Sequence, residues 1–174
     1  CMKKVLNGKK FFDKYWSSKK NFRMFDYGTI HRSIKNKSHI YIHGRIDDVV
    51  NIRGHRVGSE EIESVLLESE KIIECAAISV LDELEGHNFC VFVVSKSKKK
   101  NYIENLIINN FGTWAIPKKI YIINELPKTR SGKILRRLLR NLVLEPEDIE
   151  KKDYSTILNK KVVNDIIRVI RSNS

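Results

Sequence analysis

The chain reads as an α+β protein: a three-stranded sheet with helices packed against it. Three patterns predict this. Two apolar runs, Ile72 to Leu81 and Asn88 to Val94, are rich in β-branched residues and separated by the polar stretch Asp82 to His87. A third run, Lys119 to Ile123, follows Pro117. Around them, apolar residues recur at helical spacing: Ile62, Val65 and Leu66, then Ile103, Leu106 and Ile107, then Ile134, Leu135, Leu138 and Leu142.

Taken in order, residues 1–24 are basic and aromatic without a clear period, and read as a segment that packs on something upstream. Ile40-Tyr41-Ile42-His43 alternates like a short strand closing a preceding domain, and Arg45 to Asp48 is the connection to the next one. From Ser59 the pattern turns helical. Ser59 is a suitable N-cap, and Glu60 and Glu61 set negative charge against the positive helix start. Asn101 to Phe111 is a helix that Gly112 stops, Leu126 to Lys133 a loop, and Ile134 to Val143 a helix. The expected division is 1–46, the end of a larger domain; 47–145, a small α+β domain; and 146–174, a tail with a short helix.

A hydrophobic content of 41% in 174 residues suffices for an ordinary core and excludes wholesale disorder. No apolar run approaches the roughly 18 residues of a membrane span, so no membrane partner is expected. The start at Cys1 reads as a fragment or a processed product. A formal charge of +12 invites a nucleic-acid reading, yet the lysines lie in scattered pairs such as Lys3-Lys4, Lys19-Lys20 and Lys160-Lys161. Such runs are solvated loops, so nucleic acid is not the expected partner. Of the three cysteines, Cys75 and Cys90 fall in strand-like runs and are expected as buried free thiols. That fits a reducing, cytoplasmic setting. His39 and His43 share a strand without further ligands, and no metal site is expected.

Two dense motifs carry chemistry. Leu126-Pro127-Lys128-Thr129-Arg130-Ser131-Gly132-Lys133-Ile134-Leu135-Arg136-Arg137 sets Lys133 after a Ser-Gly turn, just before a basic amphipathic helix. A compact ammonium so placed stabilises negative charge crowding between two reacting groups, where an exposed loop lysine is the bland alternative. Upstream, Gly44-Arg45-Ile46-Asp47-Asp48-Val49 runs into Gly54-His55-Arg56-Val57-Gly58-Ser59-Glu60-Glu61-Ile62-Glu63. Gly54 lets backbone approach a slender ligand, and Asp47 or Asp48 suits a turn in which the side chain caps the backbone. In this order, and with the tail Asp153-Tyr154-Ser155-Thr156-Ile157, these residues resemble the C-terminal part of AMP-forming acyl-CoA synthetases, most closely the acetyl-CoA synthetase family. The resemblance runs from Phe25 to the C-terminus.

The resemblance implies a small mobile C-terminal domain preceded by the end of a large N-terminal adenylating domain. It implies a ligase that activates a short carboxylic acid with ATP and magnesium and passes it to coenzyme A. Lys133 would serve adenylation, Arg45 and Arg56 would contact the nucleotide, and Asp47 would be the hinge. Gly54 would belong to the coenzyme A thiol tunnel; Arg53 beside it is not part of the family pattern and is this chain's own candidate to pair with coenzyme A phosphates. The family's phosphate loop, magnesium-holding glutamate and acyl pocket lie outside the chain, so this chain alone is not expected to make an acyl-adenylate. Three positions depart from the pattern. Thr29 stands where an aspartate would hold the ribose hydroxyls, and one hydroxyl cannot match a carboxylate that accepts two hydrogen bonds. Ile108 replaces an arginine expected for coenzyme A, with Lys98 to Lys100 or Lys118 and Lys119 as candidate substitutes. Ser69 replaces a histidine. These departures keep a second reading open, a stand-alone non-catalytic or degenerate module that binds coenzyme A or a protein partner.

Overall fold

The computed structural model of the chain describes Trp16, Asn21 and residues 25–32, 38–45, 48–82, 86–144 and 160–173. The chain divides into two compact units, residues 1–47 and 48–174.

In the first unit, β1 (Asp26–Arg32) and β2 (Ser38–Arg45) form an antiparallel pair. The strand expected at Ile40 to His43 is thus the middle of β2. Tyr27 faces Gly44 while Gly28 faces Ile42, so His43 is an extra residue in β2 and bulges the pair there. Ile30, Ile40, Tyr41 and Ile42 are all more than half exposed.

The second unit is built on a five-stranded sheet among the described residues, ordered β4-β3-β6-β5 with β7 beside β6. The three expected strands are its centre: β5 (Ile72–Asp82) and β6 (Gly86–Ser95) pair antiparallel along their length, and β7 (Lys119–Ile123) runs parallel to β6. Two further strands were not foreseen. β3 (Val49–Ile52) and β4 (His55–Gly58) make a hairpin tied to the sheet where Ile52 meets Gly86. Each is too short to show an alternation, and their turn lacks the Asn-Gly signature of hairpins.

Both faces of the sheet are covered. From β5 and β6, Ala76, Ile78, Val80, Cys90 and Phe92 point to one core, with Leu139, Leu142, Val162, Val163, Ile166 and Ile170 opposite. Cys75, Ala77, Phe89, Val91 and Val93 point to the other, with Ile62, Leu66, Ile103 and Ile107 opposite. Strands buried on both sides read as continuous apolar runs, which is why their sequence was legible. The covering helices are α1 (Ser59–Leu67) and α2 (Lys100–Phe111) on one face, α3 (Arg136–Leu144) and α4 (Lys160–Arg171) on the other.

Two helix starts differ from expectation for reasons that their hydrogen bonds show. Gly58, not Ser59, is the N-cap of α1: its N–H donates to Glu61 Oε1 at 2.9 Å, and Ser59 is buried as the first helical residue. α3 begins at Arg136 rather than Ile134, because Ile134 is still paired with Lys128 and the Leu135 N–H donates to the Pro127 carbonyl at 2.9 Å. The tail helix α4 contributes Val162, Val163, Ile166 and Ile170 to a core. Cys75 and Cys90 are buried free thiols, as their strands imply. No helix among the described residues is long and apolar enough to cross a membrane.

Candidate functional site

Lys133 sits on a braced loop between β7 and α3. The Thr129 N–H donates to the Lys133 carbonyl at 2.9 Å, and the Gly132 N–H donates to the Thr129 carbonyl at 2.9 Å, closing a tight turn. The Lys133 N–H donates to Thr129 Oγ1 at 3.1 Å, and Thr129 Oγ1 and Ser131 Oγ lie 2.9 Å apart. Gly132 holds φ +83°, which explains the glycine before the lysine. Leu126 and Pro127 are buried at the root of the loop, and Lys128 pairs with Glu74 of β5. The Lys133 side chain is exposed on this frame. A charged head is thus presented to solvent from a backbone with little freedom.

Arg53 and Gly54 form the two-residue turn of the β3–β4 hairpin, with φ of +50° and +86°. Positive φ at both central residues is the type I′ geometry that suits a twisted hairpin. A Cβ built on Gly54 meets nothing within 4 Å, so the space beside it is open. Arg53 and Arg56 are exposed on the same hairpin. His55 stacks on Trp114, with centroids 4.2 Å apart and planes 12° from parallel, and Trp114 sets its ring against Phe111 at 79°. His55 therefore has a packing role that pins the hairpin to the 3-10 turn Thr113–Ala115.

In the first unit, Thr29 is half-buried in the middle of β1, opposite Tyr41. Because the bulge lies in β2, β1 alternates regularly, and Asp26 points to the other face from Thr29. Arg45 is the last residue of β2, with only its backbone described, and Asp47 lies outside the described residues. The tail motif at 153–157 lies outside them too.

Sequence reasoning missed a set of charges along the outer edge of β5. Glu63 of α1, buried, accepts from the Ala77 N–H at 2.8 Å and from Arg136 Nε and Nη2 at 3.2 and 2.6 Å. Burial pushes the Glu63 carboxyl above its usual range, against the pull of Arg136 and the Ala77 N–H. One turn along α3, Arg140 donates to the Ser79 carbonyl, to Ser79 Oγ and to Asp48 Oδ1. The only sequence trace of this arrangement is the i, i+4 spacing of two arginines on the basic amphipathic helix. Ser69, where the family pattern has a histidine, shares a 2.7 Å hydrogen bond with Tyr102.

Residues 61–133 match the AMP-binding enzyme C-terminal domain. Acetyl-coenzyme A synthetase 1 of Debaryomyces hansenii is 42% identical over 76% of this chain and 21% of its own length. The enzyme of the same name from Candida glabrata is 35% identical over 95% of this chain and 25% of its own length. Among solved structures, a Mycobacterium tuberculosis fatty acyl CoA synthetase superposes with a TM-score of 0.55 at 28% identity, over 69% of this chain and 24% of that one. Residues 61–133 are thus an AMP-binding enzyme C-terminal domain. The chain's relatives are acetyl-CoA synthetases, and it corresponds to their C-terminal region. It spans about a fifth to a quarter of the length of these curated relatives.

Proposed function

We propose that this chain is the mobile C-terminal part of an AMP-forming ligase joining a short carboxylic acid, acetate above all, to coenzyme A. In the first step the carboxylate attacks the α-phosphorus of ATP and pyrophosphate leaves. In the second the coenzyme A thiol attacks the acyl carbon and AMP leaves. Lys133 serves the first step. Its ammonium neutralises charge shared by the attacking carboxylate and the α-phosphate, and the Thr129–Gly132 turn fixes the backbone from which it reaches. The Arg53–Gly54 turn serves the second step: its open flank admits the pantetheine arm, with Arg53 set for coenzyme A phosphates. Arg45 and Arg56 contact the nucleotide, Thr29 lies at the ribose, and rotation about Asp47 exchanges the two working faces.

Magnesium enters with ATP, and its ligands lie elsewhere in the ligase. Among the described residues no group of three or more His, Cys, Asp or Glu converges to hold a metal. The two buried free thiols support a reducing, cytoplasmic setting.

The observation that carries this reading is the exposed Lys133 on its braced turn, inside a domain whose relatives are acetyl-CoA synthetases. It is tested by Lys133→Ala in the complete polypeptide. Adenylate formation, followed as pyrophosphate exchange, is expected to vanish, while thioester synthesis from supplied acetyl-AMP persists. Equal loss of both half-reactions would refute the division of labour. Thr29 and Ile108, which stand in for a carboxylate and a guanidinium, favour a second reading in which the chain is a non-catalytic binder of coenzyme A or of a protein partner. Absent ligase activity together with heat on titrating coenzyme A into the chain would select it.

A further inference from the structure

Asp48 is the first residue of the second unit, and it is held from a distance in sequence. Arg140 Nη2 lies 3.3 Å from Asp48 Oδ1 and 3.1 Å from Ser79 Oγ, while its Nε donates to the Ser79 carbonyl at 3.3 Å. One guanidinium thus joins the start of the unit to the edge of β5 and to α3. The same helix is clamped to α1 and β5 through Arg136 and Glu63. It also continues directly from the Lys133 loop, whose Lys128 is paired with Glu74 of the same strand. The start of the unit, its edge strand and the Lys133 loop are therefore one braced body.

We propose that Arg140 is a positioning residue for adenylation: its grip on Asp48 confines the pivot to the residues before Asp48, so that rotation carries Lys133 as a rigid lever. This rests on the ligase reading above. Without the grip, the backbone angles that turn the domain spread into Asp48 and the root of β3. Gly54 lies on the hairpin that starts at Val49 and acts through its backbone. Lys133 is reached through the sheet and acts through one charge, whose placement tolerates little error. Loss of the grip should therefore harm adenylation more than thioester formation. An exposed surface pair would contribute next to nothing, but these side chains are only 35% and 27% exposed, and Arg140 also satisfies an edge carbonyl of β5.

The test uses Arg140→Gln, Asp48→Asn and the double variant in the complete polypeptide, with pyrophosphate exchange and thioester formation from supplied acetyl-AMP measured side by side. Each single variant is expected to lower the ratio of the first rate to the second by about threefold or more, and the double variant no further, as for partners in one interaction. A ratio unchanged in the single variants, or effects that multiply in the double, would overturn the proposal. If the unmodified protein performs neither half-reaction, the ligase reading fails and the kinetic role of Arg140 falls with it. Hydrogen exchange on the same proteins reads the grip itself. Amides of Asp48 to Val50 should exchange faster in Arg140→Gln while those of β6 keep their protection, and unaltered exchange would show that no grip exists.

Discussion

At Gly54 a single backbone angle decides what the position tolerates. Its φ of +86° is costly for any residue with a Cβ, although the space beside it is open. Gly54→Ala should therefore lower the stability of the second unit by about 1–2 kcal/mol in urea unfolding, a backbone cost and not a clash. Under the ligase reading proposed above, the same change in the complete polypeptide should slow thioester formation and spare pyrophosphate exchange, and the reverse pattern would argue against a thiol path along this turn. The cysteines give a second outcome at this scale. Burial pushes the Cys75 thiol up to about 12 and Cys90 up to about 11, from an ordinary value of 9.0. Both should resist alkylation at pH 8 in the folded chain and react fully in denaturant, as peptide mapping would show. The sign of the linkage follows: above pH 9.0 the unfolded thiols lose protons that the folded ones keep, so stability should fall as pH rises from 9.0 towards 12. A flat stability profile across that range would show that these thiols are not desolvated.

Among the elements, β5 shows both what the sequence disclosed and what it withheld. Its two-sided burial made it visible as a long apolar run, and the same holds for β6 and β7. Its outer edge was invisible, because the partners that satisfy it come from far along the chain, Arg136 lying 73 residues from Glu63. No local pattern links such a pair. The β3–β4 hairpin was missed for the opposite reason, since each strand has only four residues and the motif inside them pointed to ligands rather than to pairing. The stretch Leu126 to Lys133 was legible as a loop from its residue order alone, but the hydrogen bonds of Thr129 that brace it were not. The β5 edge also yields a prediction. Arg136→Met strips a buried carboxylate of its counter-charge, and should cost about 3 kcal/mol in urea unfolding, the low end for breaking a buried pair because Arg136 is 32% exposed. Glu63→Gln should cost less, since an amide oxygen still accepts from the Ala77 N–H. Equal costs for the two changes would mean that the pair, not the orphaned charge, sets the penalty.

For the second unit as a whole, the question is whether a domain can close on one helix-covered face. The sheet needs cover on both sides, and on the α3 side the cover is shared. Leu139 and Leu142 come from α3, while Val162, Val163, Ile166 and Ile170 come from α4. Burying four aliphatic side chains of this kind contributes about 6–12 kcal/mol as an upper figure. That is comparable with the whole stability of an ordinary domain, about 5–15 kcal/mol. A chain ended at residue 159 should thus keep its strands but lose cooperative unfolding and near-ultraviolet dichroism, and bind a hydrophobic dye through Phe92, Tyr121 and Ile123. The contrasting deletion is informative: removing residues 1–47 leaves every residue of both cores of the second unit in place, and a sharp thermal transition should remain. If instead the chain ended at 159 melts cooperatively within a few degrees of the intact one, α4 is an ornament on a domain that α3 closes alone. The tail would then be free for some task other than holding the sheet that carries Lys133.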